Sequence, residues 1–143
     1  MFSPITIPYG AKMLFNEVRL KPGVSVDDVE LTLAEMCNVV KDTYGNEKGG
    51  FIAGQVFRFS GFISDEGSVE SGRGEGDHLA IVTYWQSFDQ HEASHADRIF
   101  REKFAELAAQ CSETRELGYE MLWQGVPEHA VAEPQAASDR KAA

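Results

Sequence analysis

The chain has 143 residues, long enough for one domain that buries a core without disulfides or a structural metal. Thirteen Lys and Arg against 23 Asp and Glu leave a net charge of −10, and no Lys/Arg-rich run tracks phosphates, so nucleic acid is not an expected partner. The start, MFSPITIPYG, lacks a basic region, and no apolar run approaches the roughly 18 residues of a membrane span, so the protein is expected to be soluble and cytoplasmic.

Residues 1 to 11 carry two prolines among Phe2, Ile5, Ile7 and Tyr9, a composition that suits an extended arm, available to a partner subunit, better than a helix. From Lys12 to Leu20 the pattern alternates. Leu14, Asn16, Val18 and Leu20 fall on one face and Met13, Phe15, Glu17 and Arg19 on the other, which predicts a strand. Asn16 is then a polar residue on an apolar face, either a core amide satisfied by its neighbours or a pocket group aimed at a ligand.

Lys21-Pro22-Gly23 is a turn. Ser25 with Asp28 three residues on is a weak capping box, and Val29, Leu33, Met36 and Val40 then recur at helical spacing, predicting a helix over 26–42. Tyr44-Gly45-Asn46 and Gly49-Gly50 end it. Residues 51 to 63 predict a second strand with Phe51, Phe57 and Phe59 on one face and Ile52 and Val56 on the other. Residues 64 to 77 are acidic and Gly-rich and read as a flexible loop. Their Gly72-x-Gly74-x-Gly76 is no phosphate loop, because no helix start follows it and its flanking carboxylates repel phosphate.

A third strand over 78–85 leads into Ser87 with Gln90 three residues on, a good capping box, and a helical region to about Cys111 with its apolar stripe at Phe100, Phe104, Leu107 and Cys111. A fourth strand is predicted over 117–124, with Leu117, Tyr119, Met121 and Trp123 on one face. Beyond Pro127 the chain lacks the apolar content to fold and is expected to be disordered. Cys37 and Cys111, far apart and each within a helical pattern, read as core thiols.

The order is β-α-β-β-α-β, the split βαβ arrangement of a ferredoxin-like α+β domain over about residues 12–126. One face of such a sheet is covered by its two helices. The other, with Met13, Phe15 and the second strand's aromatic face, requires cover from another subunit.

Within the second helical region, His91-Glu92-Ala93-Ser94-His95 matches the zinc-hydrolase pattern H-E-x-x-H. In that pattern two imidazoles one turn apart share a metal and the Glu serves as base. Glu113, Glu116 and Glu120 are spaced to supply a third ligand. Against a hydrolase stand Asp89 and Asp97, where the longer signature wants uncharged and hydrophobic residues, and a small fold with little wall for a peptide cleft.

The motifs in order, NEVRLKPG at 16–23, GGFIAGQVFRF in the second strand, and IVTYWQS at 81–87 followed by His95 and Phe100, resemble the antibiotic biosynthesis monooxygenase family of dimeric α+β barrels. The resemblance implies a homodimer with an apolar pocket between the sheet and helices of each subunit. Some members oxidise polycyclic aromatics with oxygen and no metal; others bind haem, and several degrade it. Asn16 matches the strand-one Asn of the haem-degrading branch. That branch's helix-two Trp and axial His fall at Ser94 and Phe104 here, so the resemblance points to haem held by His95, with His91 second, and not to its degradation by that mechanism.

The leading expectation is therefore a homodimeric barrel binding a flat apolar ligand, haem foremost. Asn16 and Trp85 then meet or orient the ligand, and Phe100 and Phe104 shape the pocket. The alternatives are a cofactor-free monooxygenase on an aromatic or quinol substrate and a non-catalytic ligand-binding accessory protein. One straight helix over 88–111, at about 100° per residue, would turn His91 and His95 to solvent, whereas a break at Asp97 would turn them inward.

Overall fold

The computed structural model describes residues 2–69 and 76–128; the six-residue centre of the Gly-rich loop and most of the expected tail lie outside the described residues. Four antiparallel strands, β1 (Lys12–Leu20), β2 (Phe51–Arg58), β3 (Leu79–Trp85) and β4 (Cys111–Glu120), form one sheet in the order β2-β3-β1-β4. Three helices, α1 (Val26–Tyr44), α2 (Phe88–Ser94) and α3 (Arg98–Ala108), complete the ferredoxin-like α+β fold expected from the sequence. Among the described residues no helix is long and apolar enough to cross a membrane.

The first helix follows from its sequence signals. Asp28 accepts a 2.8 Å hydrogen bond from the Ser25 backbone N–H at its start, and the stripe Val29, Leu33, Met36 and Val40 is buried. The main core joins that stripe to Val18, Leu79, Ile81, Leu107 and Cys111, and a second cluster unites Leu14, Val40 and Trp85. Burying each large side chain stabilises the fold by roughly 1.5–3 kcal/mol, so helix and sheet hold each other. Cys37 and Cys111 are both free thiols, and Cys111 is buried in this core, with burial pushing both thiols up from their ordinary pKa.

Three boundaries differ from expectation. Strand β4 begins at Cys111, six residues before the predicted start, because residues 112–116 are all polar and carry no apolar alternation. Cross-strand pairs hold this edge instead: Arg19 with Glu113 at 3.9 Å, Arg115 with Glu17 at 3.8 Å, and Lys12 with Glu120 at 3.8 Å. Met121 and Trp123, predicted as its end, lie beyond the strand. In β2 the pairing slips by one residue between Phe51 and Ala53. Phe51 thereby packs edge-on against Trp85, ring centroids 5.3 Å apart, and does not share a face with Phe57. Strand β2 also stops at Arg58, short of the expected Ile63.

The third difference is the break between α2 and α3. Turn bonds from the backbone N–H of His95, Ala96 and Asp97 to residues 92, 93 and 94 tighten the end of α2, and the Asp97 carboxylate accepts from Phe100 N–H at 2.9 Å to start α3. Tyr44, the last residue of α1, donates its hydroxyl to the other Asp97 oxygen at 2.9 Å. The start of α2 is fixed as predicted, Gln90 N–H donating to Ser87 Oγ at 3.1 Å. Gln90 also donates to the carbonyls of Glu47 and Lys48 at 3.1 Å, in space that a Cβ on Gly50 would fill. Gly50 has φ +77°, so this turn requires glycine twice over.

Candidate functional site

The break at Asp97 decides where the histidines point. His91 is buried, 5% exposed, under α2 and against Trp85, ring centroids 5.2 Å apart and near perpendicular. His95 caps α2 with its side chain 36% exposed, and its ring lies parallel to Phe100 at 5.6 Å, with Phe104 next in the stack. Both imidazoles turn inward.

They meet two residues delivered by the sheet. Asn16 on β1 pairs in register with Glu116 on β4, so both side chains rise from the helix-covered face. His91 Nε2 lies 3.1 Å from Glu116 Oε2 and 3.1 Å from His95 Nε2, and His95 Nε2 lies 3.7 Å from Glu116 Oε1. Burial pushes the Glu116 carboxyl up, but the hydrogen bond from His91, the charges of His91 and His95 and the hydrogen bond from Asn16 outweigh it and hold the carboxyl below its ordinary range. Of the three acids spaced as possible partners of the histidines, only Glu116 reaches them; Glu113 and Glu120 are turned to Arg19 and Lys12.

Glu92 takes a different place from the one the H-E-x-x-H pattern implies. Its carboxylate lies 3.4 Å from His91 Nδ1 and 3.8 Å from His95 Nδ1, on the side of the rings away from Glu116, and is 68% exposed. A base for a metal-bound water must face the Nε2 side. Glu92 therefore acts on the orientation of the rings, and the zinc-hydrolase assignment of its role does not fit this geometry.

The cluster borders a cleft of about 1360 Å³ between α1, the sheet and α3. Leu33, Val56, Ile81, Phe100 and Phe104 form apolar wall, while Asn16, His91, His95 and Glu116 stand together at a polar border. A largely apolar cleft with a few convergent polar groups is the usual form of a small-molecule site. Trp85 borders the cleft but is 1% exposed, and its indole N–H already donates to Thr83 Oγ1 at 2.9 Å. It positions His91 from beneath. In sequence Glu116 is only one of three spaced acids, one residue outside the predicted strand; its face is set by its pairing with Asn16 across β1 and β4.

Comparison by sequence finds no matching family model and no matching curated protein. Solved structures do match in fold. SnoaB, a cofactor-independent oxygenase from Streptomyces nogalater, superposes with a TM-score of 0.57 at 13% identity, over 83% of this chain and 99% of its own. A hydroxynitrile lyase from Passiflora edulis gives 0.57 at 11% identity, over 83% of this chain and 100% of its own. A Caulobacter crescentus protein classed with the antibiotic biosynthesis monooxygenases gives 0.55 at 10% identity, over 80% and 92%. Proteins described as dimeric and ferredoxin-like are also among the matches. The fold is that of antibiotic biosynthesis monooxygenase-type and dimeric ferredoxin-like proteins, and it hosts more than one chemistry.

Proposed function

We propose that this chain binds a flat apolar ligand in the cleft between sheet and helices and is an oxygenase acting on an aromatic substrate. The observation that carries the reading is the convergence of Asn16, His91, His95 and Glu116 on one border of an otherwise apolar cleft. An aromatic body is held by dispersion and desolvation against Phe100, Phe104 and Val56, and a phenolic or carbonyl substituent meets the polar border. Asn16 orients the substituent by hydrogen bonding and the His91–Glu116 pair accepts its proton, which raises the electron density of the ring that oxygen attacks. The likeness to SnoaB supports the oxygenase class through fold alone.

Oxygen uptake with a hydroxylated tricyclic aromatic as probe tests this. Substrate-dependent uptake above autoxidation, reduced about 100-fold in Asn16→Ala, is the expected result. Uptake equal to autoxidation, with the probe nonetheless bound, would reduce the protein to a ligand-binding accessory protein.

Haem held by His95 is the second reading, favoured by the partly exposed ring at the cleft wall. It requires His95 Nε2 to leave His91 and Glu116, which the substrate reading does not. A haemin titration separates the two: a Soret shift lost in His95→Ala supports haem, and an unshifted spectrum removes it.

The same reading includes a homodimer. Phe15, Phe57, Val82, Leu117 and Tyr119 share the sheet face that no helix covers, and Phe57 and Tyr119 are 50% and 46% exposed in the single chain. A second copy of this face is self-complementary cover. The N-terminal arm has an intrachain anchor, since Gln124 donates to the Ile7 carbonyl at 2.7 Å.

A further inference from the structure

We propose that His91 Nε2, His95 Nε2 and a Glu116 carboxylate oxygen form a binding site for one divalent first-row transition ion, such as Zn²⁺ or Fe²⁺, facing the cleft. The three donors come from a helix and a sheet edge 21 residues or more apart in sequence, and their ligand atoms all lie within 4.8 Å of one another.

The spacing matches a shared ion. Two donors each ~2.1 Å from one metal are about 3.0 Å apart at a right angle and about 3.4 Å apart at the tetrahedral angle. The His91–His95 and His91–Glu116 Oε2 separations are both 3.1 Å, between these values, and the third, His95 Nε2 to Glu116 Oε1, is 3.7 Å, a few tenths of an ångström beyond them. Two imidazoles and one carboxylate are donors suited to zinc or iron, and three protein ligands leave coordination positions open.

Between neutral imidazoles, hydrogen bonding alone serves the cluster poorly. A neutral imidazole has one N–H, so if His91 Nε2 carries it, that single hydrogen must serve both Glu116 and the lone pair of His95. If His91 Nε2 instead accepts from His95, its own lone pair faces a carboxylate 3.1 Å away. A metal cation between the three donors takes one lone pair from each of them.

The outer shell agrees. Glu92 stands at the Nδ1 edge of both rings, the edge a metal leaves free when it takes Nε2, and a carboxylate there fixes the tautomer and raises ligand basicity. Asn16 stands directly opposite Glu116 on the neighbouring strand, on the same face of the sheet, where it orients the carboxylate. Trp85 and Ser94 confine His91: Ser94, 1% exposed, donates to the His91 carbonyl at 2.6 Å. The site goes beyond the oxygenase reading: an ion held there engages the His91 and Glu116 lone pairs that otherwise accept the substrate's proton, and the site rests on donor geometry and not on the aromatic ligand.

The test is a titration of the metal-stripped full chain with Zn²⁺ by calorimetry, and with Co²⁺ by visible absorption, with no aromatic compound present. One ion per chain is expected, with coordination bands from bound Co²⁺. Glu116→Gln and His95→Ala should each weaken binding by about 100-fold or more, and Glu92→Gln by about 10-fold. Glu113→Gln, on the same strand but turned to Arg19, should leave it unchanged. Circular dichroism confirms that each variant is folded; His95 and Glu116 are partly exposed, and their substitutions leave the core intact. No saturable binding in the folded wild-type chain overturns the site, as does binding that survives Glu116→Gln or falls equally in Glu113→Gln. Because the titration omits the aromatic probe, its failure leaves the ligand-cleft reading standing, and failed oxygen uptake leaves the metal site standing.

Discussion

Replacing Asp97 with Ala tests the break that turns the histidines inward. The change removes the acceptor of Phe100 N–H and of the Tyr44 hydroxyl, each at 2.9 Å. Losing an N-cap side chain costs about 1 kcal/mol. The Tyr44 bond adds about 0.5 kcal/mol, the low end of the range for a net hydrogen bond, because water reaches a part-exposed hydroxyl. The expected destabilisation is therefore about 1.5 kcal/mol, or a fall of roughly 4–8 °C in Tm for a folded part of this size. The hydrogen bond from Phe100 N–H is the largest influence on Asp97; against burial, and with help from Tyr44, Ile99 and Arg98, it holds the carboxyl below its ordinary range.

A carboxyl depressed on folding contributes stability that is fully present above its unfolded pKa, about 3.9, and lost as pH falls through the lower folded value. The gap between wild type and Asp97→Ala should thus be constant above about pH 5 and narrow below about pH 3.9. Asp97→Asn, a comparable cap without that titration, should keep most of the stability. Chemical denaturation of the three chains at several pH values measures this. A difference below about 0.3 kcal/mol at neutral pH, or one undiminished at low pH, would refute the capping argument.

Three further outcomes are expected. Gly50→Ala should destabilise by more than about 1 kcal/mol, since it forces a side chain into a positive-φ turn occupied by Gln90; equal denaturation midpoints would contradict this. Leu107→Ala, at a position with 0% exposure between α1 and the sheet, should cost about 2–5 kcal/mol by denaturant titration. Phe57→Glu on the uncovered sheet face should convert a dimer to monomer in sedimentation at unchanged secondary structure, and a chain monomeric before substitution would remove the dimer proposal.

Alternation exposed β1 residue by residue, because one of its faces is almost wholly apolar and Asn16 stands out there against Leu14 and Val18. The same signal fails for β4, whose first half is charged on both faces and is held by pairing to β1, so its place depends on partners distant in sequence. The helix break was legible as a possibility in Asp97, a capping residue, but its anchoring by Tyr44 across 53 residues was not. The pairing of Glu116 with the histidines likewise required the register between β1 and β4. Neither a cap nor a hydropathy period encodes which strand edge a helix will cross.

The claim on which the rest depends is that the apolar cleft bordered by the histidine cluster holds a flat aromatic ligand. Equilibrium titration of the full chain with a fluorescent tricyclic aromatic measures it, alongside Val56→Trp, which fills the cleft from a wall position 44% exposed and outside the main core. Saturable binding weakened about 10-fold or more by Val56→Trp is the expected result, since the added ring competes for the same apolar volume. No binding, or binding indifferent to Val56→Trp and to His95→Ala alike, would place any ligand elsewhere and contradict the account.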